Sequence, residues 1–148
     1  MKAVLQRVRK VSVSVDGQQI SHTGVGLLIL LAVEKDDSEK EAEYLSSKVL
    51  SLRIFEDRNG KMNRSICEIK GELMVVSQFT LLADCRKGNR PSFDRAAHPK
   101  LAYALYNYFI ERLSKNSKLI VKRGKFAAKM EVRLINDGPL TIIVEKQK

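Results

Sequence analysis

Cysteine, histidine and tryptophan are scarce in this sequence of 148 residues, which has two cysteines, two histidines and no tryptophan. Cys67 and Cys85 form no CxxC pair, which argues against a disulfide scaffold and favours a reducing compartment. A zinc site needs three or four clustered ligands, and neither His22 nor His98 has a cysteine or histidine neighbour at ligand spacing. We therefore expect two ordinary thiols, no metal and no cofactor.

The sequence also lacks a hydrophobic run long enough to cross a membrane. The apolar stretch 25–33 (VGLLILLAV) is far shorter than the roughly 20 residues that a spanning helix needs. Charges throughout the first ten residues rule out a signal-peptide pattern. Hydrophobic residues make up 44% and charged residues 30%, which is an ordinary globular composition. We expect one domain, residues 1–148, in a soluble cytoplasmic protein with no membrane partner.

The familiar catalytic motifs are missing as well. There is no GxSxG elbow, HExxH, P-loop or GxGxxG, and no motif marks either histidine as a general base. An enzyme with so few catalytic groups needs a substrate that is already reactive. Stabilising an oxyanion and orienting water would then suffice, since one well-aimed oxyanion donor contributes roughly 10²–10³ in rate.

Positive charge, by contrast, is abundant: 27 lysines and arginines against 17 acidic residues give a formal net charge of +10. Such a charge attracts polyanions, and nucleic acid is the commonest one in cytosol, although simple solubility explains the charge equally well. Two segments favour nucleic acid. Residues 86–95 (RKGNRPSFDR) and 118–129 (KLIVKRGKFAAK) place cations beside glycine and phenylalanine, and neither is typical of a solvated helix face.

Hydrophobic periodicity predicts an α+β fold. Alternation over residues 2–15 before Asp16-Gly17 predicts a strand and a hairpin turn, and the apolar run 25–33 predicts a strand buried on both faces. Asp37-Ser38 is expected to cap one amphipathic helix, and a second helix begins near His98-Pro99. The apolar stripe of this second helix is expected to consist of Leu101, Ala104, Leu105, Tyr108 and Phe109.

Further strands are predicted at residues 52–57, 73–79, 118–121, 130–135 and 140–145. Asn59-Gly60 is the expected turn between the first two of these, and residues 136–139 interrupt the last two. Turns stand at most of the joints between elements, where a parallel sheet would need crossover helices. We therefore expect a mostly antiparallel sheet with a barrel-like core and two main amphipathic helices.

Two polar clusters are the candidate sites. Residues 77–80 (SQFT) close an apolar strand, where hydroxyls, an amide and free backbone N–H groups can face a cleft; the alternative is an ordinary strand end with surface Ser and Thr. Residues 136–141 (NDGPLT) are either a plain hairpin turn or a special backbone segment. Gly138 permits unusual torsions, and the bond before Pro139 could be cis, as about 5–6% of X–Pro bonds are.

An aminoacyl ester of tRNA is a substrate that such a sparse site could process, because it hydrolyses readily and carries a vicinal ribose hydroxyl. The whole chain indeed resembles the D-aminoacyl-tRNA deacylases. Each matching motif is weak alone, but their order and spacing together are specific. The matching segments are residues 1–8 (MKAVLQRV), 52–57, 60–63 (GKMN), 77–81 (SQFTL), 87–93 (KGNRPSF), 124–130 (GKFAAKM) and 136–141.

The resemblance implies a homodimer with its active sites at the subunit interface. Gly138 and Pro139 would form a Gly–cisPro pair that enters the partner's pocket, and Arg7 would help to hold that pair in orientation. The carbonyls of the pair would exclude any L side chain while admitting D-amino acids and glycine, which is selection by a steric block.

The resemblance also assigns the pocket. Ser77, Gln78, Phe79 and Thr80 would line its floor, with main-chain N–H groups near Phe79 and Thr80 binding the reacting carbonyl. The positions around the adenosine and the aminoacyl end of the tRNA 3′ terminus are matched by Phe126 and Met130.

The implied activity is hydrolysis of D-aminoacyl-tRNA, and of mischarged glycyl-tRNA, as chiral proofreading in translation. Either the Thr80 hydroxyl attacks the ester, or the protein positions water and the 2′-hydroxyl of the tRNA assists. The missing base favours the second route. The alternatives are a non-catalytic RNA-binding module, a related editing domain that removes L-serine in archaeal threonyl-tRNA synthetases, and a structural dimerisation domain. No DNA partner is expected.

Overall fold

The computed structural model describes residues 1–146. Residues 147 and 148, the last two of the predicted domain, lie outside the described residues. The elements in chain order are β1 (Lys2–Val15), β2 (Gln18–Thr23), β3 (Gly26–Ala32), α1 (Glu39–Ser51), β4 (Arg53–Glu56), β5 (Met62–Ser65), β6 (Glu72–Ser77), a 3₁₀ turn (Phe79–Leu82), α2 (Pro99–Ser117), β7 (Val121–Arg123) and β8 (Glu131–Glu145).

The long strand β1 organises the main sheet, because it pairs antiparallel with β2, β3 and β8. Strands β3 and β6 are parallel, as are β6 and β7, and each parallel pair is joined through a helix. The first strand in the sheet order, β2, also contacts the last, β7, so the sheet curls toward closure. These features confirm the predicted α+β fold with a mostly antiparallel, barrel-like sheet and two main helices.

Helix α1 begins where its sequence predicts. Ser38 is the N-cap of a complete capping box, in which its hydroxyl accepts from the backbone N–H of Lys40 and the Glu41 carboxylate accepts from the N–H of Ser38 at 2.8 Å. Asp37 was expected to share this role, but its carboxylate instead accepts from the ammonium of Met1 at 2.6 Å. Burial of that pair raises the pKa of Asp37 above its usual value.

Helix α2 also begins as predicted, but its predicted apolar face is partly wrong. Leu101 and Ala104 are exposed. The first turns of α2 border a cavity, which Pro99, Ala102 and Tyr106 line, and Tyr106 also belongs to the core that the later turns cover. The buried residues are Leu105, Tyr106, Phe109 and Leu113.

Three strand predictions need correction. The Asn59-Gly60 turn joins β4 to β5, whose residues are mostly exposed and therefore show no apolar pattern. Strand β7 begins at Val121 and not at residue 118, because Lys118 ends α2 in the left-handed conformation. The two strands predicted at 130–135 and 140–145 are one continuous strand, β8, and both halves pair with β1.

Candidate active site

A cavity of about 600 Å³ opens at the carboxyl ends of the parallel strands β3 and β6. Five of the predicted site residues line it. A sixth, Thr80, follows Phe79 in the 3₁₀ turn. The predicted residues that line the cavity are Ser77, Gln78, Phe79, Phe126 and Met130.

The end of β6 sets the conformation of the cluster at residues 77–80. The N–H of Gln78 donates to the carbonyl of Leu31 in β3 at 2.8 Å, and the chain then turns into the 3₁₀ segment. The predicted strand ended at Phe79, but Phe79 is instead the first residue of this turn. The N–H groups of Phe79 and Thr80 precede the first hydrogen bond of the turn, and neither donates to an acceptor within residues 1–146.

Aromatic rings form two walls of the cavity. On one side Phe79 meets Phe93 edge-on, with 5.1 Å between the ring centroids. On the other side Phe126 contacts Tyr103 at 5.2 Å and Tyr106 at 5.7 Å. Sequence reasoning did not select Phe93 or Tyr106 as site residues; Phe93 closes the family-like segment 87–93, which was the signal that could have found it.

The side chains that line the cavity are neutral near pH 7. The only titratable group among them is Tyr106, whose pKa burial raises to about 12 and whose hydroxyl donates to the carbonyl of Val75 at 2.9 Å. The Thr80 hydroxyl donates to the side-chain oxygen of Gln78 at 2.6 Å. Neither histidine is among the described residues that line the cavity: His98, between the lining residues Ala97 and Pro99, caps α2, and His22 lies on β2.

The second candidate cluster, residues 136–141, is a bulge inside β8. Asn136 pairs with Val8 and Thr141 pairs with Gln6, so four residues of β8 lie opposite the single residue between them in β1. The interpretation of this segment as a plain hairpin turn is wrong, because the strand continues along β1 on both sides of it. The Gly138-Pro139 peptide bond is cis, and Gly138 has a φ of +127°.

Arg7 of β1 holds this bulge through hydrogen bonds to backbone carbonyls. Its guanidinium is buried and donates from Nε to the carbonyl of Asp137 at 3.1 Å and from Nη1 to the carbonyl of Ile54 at 2.8 Å. Arg7 therefore links the bulge to β4, and its role in orienting the Gly–Pro pair stays a prediction.

Asn136, at the start of the same bulge, forms hydrogen bonds to residues at its end. Its side-chain oxygen accepts from the N–H of Leu140 at 3.0 Å, across Gly138 and Pro139. Its side-chain nitrogen lies 3.2 Å from the hydroxyl oxygen of Thr141. The two central residues, Gly138 and Pro139, remain exposed to solvent.

One chain does not bring the two candidate clusters together. Ser77 aligns through Leu31 with Ala3 of β1, whereas the bulge lies opposite Arg7. These positions are four steps apart along β1, an offset of about 13 Å in the strand direction at roughly 3.3 Å per residue. Neither Gly138 nor Pro139 lines the cavity.

Metal-binding and membrane-spanning features are absent from the described part of the chain. Within residues 1–146 there is no cluster of three or more histidine, cysteine or acidic side chains that could hold a metal ion. No helix in this range is both long and apolar enough to span a membrane. Both cysteines are free thiols, Cys67 half-buried and Cys85 exposed.

Comparison with solved structures places the fold in a known class. It matches a structure described as "Structural Analysis of a probable eukaryotic D-amino acid tRNA deacylase" with a TM-score of 0.85 over 98% of each chain, at 17% identity. A structure described as "c-Myc DNA Unwinding Element Binding Protein" matches with a TM-score of 0.95 and 44% identity over all of both chains.

Comparison with families and sequences is more specific. The family described as D-Tyr-tRNA(Tyr) deacylase matches residues 4–145. A protein of Thermodesulfovibrio yellowstonii is 55% identical over 97% of this chain and 98% of its own length, and one of Geotalea uraniireducens is 53% identical over 100% and 95%. Both relatives are named D-aminoacyl-tRNA deacylase. The chain belongs to this deacylase family.

Proposed function

We propose that this chain is a D-aminoacyl-tRNA deacylase, a hydrolase that cleaves the ester bond of D-aminoacyl-tRNA and releases free D-amino acid and tRNA. The observation that carries the proposal is the neutral cavity at residues 77–80, in a chain about half identical over its length to enzymes of that name. The remaining steps are proposals that the local geometry supports.

The cavity suits the reacting end of the substrate. Its volume of about 600 Å³ lies within the range of small-ligand sites, which is roughly 300–1,000 Å³. The N–H groups of Phe79 and Thr80, which donate to no acceptor within residues 1–146, can bind the ester carbonyl oxygen and stabilise the charge that develops on it. Phe126 and Met130 offer an apolar surface to the terminal adenosine and the aminoacyl group.

Water is the proposed nucleophile. It adds to the ester carbonyl carbon, the bond from that carbon to the ribose 3′-oxygen breaks, and this oxygen leaves with a proton. Residues lining the cavity stay neutral near pH 7. The Thr80 hydroxyl donates a hydrogen bond to the Gln78 amide oxygen, and an amide cannot act as a general base. The vicinal 2′-hydroxyl of the tRNA therefore assists the proton transfer, and Thr80 is not the nucleophile.

Selection for D-amino acids is proposed to come from a second copy of the chain. Gly138 and Pro139 are exposed and about 13 Å along the sheet from the cavity of their own chain, so they are free to enter the cavity of a partner. The carbonyls of the pair would block an L side chain while leaving room for a D side chain or for glycine. Arg7 holds the pair in place.

Exposed apolar side chains near the bulge support a homodimer. Ile135 and Ile143 lie on β8 on either side of the bulge and are 46% and 61% exposed. Within the described residues β8 pairs only with β1, so its outer edge is available to a second copy. We propose a single-domain homodimer that acts on the tRNA 3′ end in the cytoplasm.

The direct test compares D-tyrosyl-tRNA and L-tyrosyl-tRNA at enzyme concentrations well below substrate. Rapid hydrolysis of the D-ester alone supports both the reaction and the chiral selection. Hydrolysis of both esters retains the hydrolase and removes the selection mechanism, and an L-seryl-tRNA substrate then tests the editing alternative. Binding of tRNA without turnover favours the RNA-binding module. Duplex DNA is a useful competitor, because one solved relative is called a DNA unwinding element binding protein.

A further inference from the structure

The segment that forms one wall of the cavity also carries exposed cations. From residue 122 to residue 130 the side chains divide between the cavity and the solvent. Phe126, Ala128 and Met130 are half-buried and line the cavity. Four cations of this segment are exposed and are called here the cationic strip: Lys122, Arg123, Lys125 and Lys129.

The charges of this strip are not neutralised within the part of the chain that the structure describes. None of the four forms an ion pair there, and Arg123 donates only to the neutral amide oxygen of Asn107 at 3.0 Å. Its charge acts near the cavity, because Arg123 is among the groups that lower the pKa of Tyr106 against the larger effect of burial.

The opposite wall is cationic in sequence, but two of its four cations are ion-paired in the structure. Arg86 forms a two-pronged contact with Asp84 and lowers the pKa of that carboxyl to about 2. Arg95 donates to Glu34 at 2.6 Å. Of the four cations in residues 84–95, Lys87 and Arg90 form no ion pair with another described residue.

We propose that the cationic strip binds the phosphates of the RNA strand that leads to the terminal nucleotide, so the strand enters over this wall and not over residues 84–95. The inference rests on the proposed function. A single strand is bound best where cations follow its backbone beside aromatic side chains that accept its bases. The strip meets this condition, since its cations stand on both sides of Phe126 in a single segment.

The test neutralises two exposed cations on each wall. Lys125→Gln/Lys129→Gln removes charge from the strip, and Lys87→Gln/Arg90→Gln is the matched control from the opposite wall. The substrates are D-tyrosyl-tRNA and D-tyrosyl-adenosine, which has no phosphate. Circular dichroism confirms that each variant is folded.

The strip variant is expected to raise KM for D-tyrosyl-tRNA on the order of tenfold at moderate salt. It should also flatten the salt dependence of kcat/KM by about 0.7 for each phosphate that is no longer bound, while D-tyrosyl-adenosine is cleaved as by the parent chain. The control should change KM less than the strip variant does.

The inference is overturned if the control pair carries the effect, if both pairs carry it equally, or if neither does. Failure of the proposed function is a separate result, because the parent chain would then cleave neither D-ester. In that case binding of uncharged tRNA by the same variants decides the matter. Selective loss of binding in the strip variant supports the inference, and equal binding by both variants refutes it.

Discussion

The substitution Gly138→Ala tests the bulge of β8 at its most constrained point. Gly138 has a φ of +127°, which L residues rarely adopt, and an added Cβ would lie 2.8 Å from Nη2 of Arg7. Arg7 cannot withdraw freely, because its other nitrogens are held by the carbonyls of Asp137 and Ile54. The backbone must therefore rotate, or the chain retains a strain of about 1–3 kcal/mol.

Rotation of this backbone changes the direction of the carbonyls at residues 137–139, which are proposed to exclude L side chains. We expect Gly138→Ala to lower the ratio of D- to L-tyrosyl-tRNA hydrolysis by at least tenfold, since a tenfold change corresponds to only about 1.4 kcal/mol. The measurement is the initial rate on each ester, together with the urea midpoint of unfolding.

Gly17→Ala is the matched control for this variant. Gly17 also has a positive φ, of +77°, but an added Cβ would meet no atom within 4 Å. It should therefore lose stability through backbone strain alone and keep the ratio of the two rates. An unchanged ratio in Gly138→Ala, at a stability equal to that of the control, would refute the proposed role of the bulge.

Three further predictions concern the scaffold. Tyr106→Phe should lower the free energy of unfolding by about 1 kcal/mol in urea titrations, because the hydrogen bond to the Val75 carbonyl is removed; an unchanged midpoint would contradict this. The folded pKa of Tyr106, about 12, lies above its usual 10, so its contribution is complete below pH 10 and is lost as the pH rises through 12. Denaturation of the parent chain and the Phe variant at pH 9 and 11 measures this difference. Ser38→Ala should cost about 1 kcal/mol through loss of the α1 cap, and Ser38→Thr, which keeps the hydroxyl beside Glu41, should restore most of it.

The sequence predicted those elements whose structure depends on local physics. The capping box at Ser38 and the continuous apolar run of β3 are determined by residues that are adjacent in sequence, and the structure confirms both. Strand β5 could not be found, because its mostly exposed residues are held by pairing with β4 and not by an apolar face. The continuity of β8 was also hidden, since Asn136, Asp137, Gly138 and Pro139 are residues typical of a turn, and only pairing with β1 on both sides shows that the strand continues.

The candidate site was predictable to a different extent. The family resemblance selected residues 77–80, Phe126 and Met130, and the structure brings five of these residues into one cavity with Thr80 next to them. Phe93 was missed because its contact with Phe79 depends on the fold of the loop before α2. Tyr106 was missed because its helix presents one face to the cavity and to the core together.

The scarcity of catalytic side chains has a structural counterpart in this site. The proposed oxyanion donors are backbone N–H groups, and the proposed chiral block consists of backbone carbonyls. Side chains act one step away, as Arg7 and Asn136 do when they fix the bulge through its own backbone. Many different side chains can hold the same backbone groups in position. A search for catalytic side-chain motifs therefore finds nothing here. The use of backbone groups also makes the site depend on φ, register and strand pairing, so a single methyl group at Gly138 should affect selectivity more than the loss of any hydroxyl in the cavity.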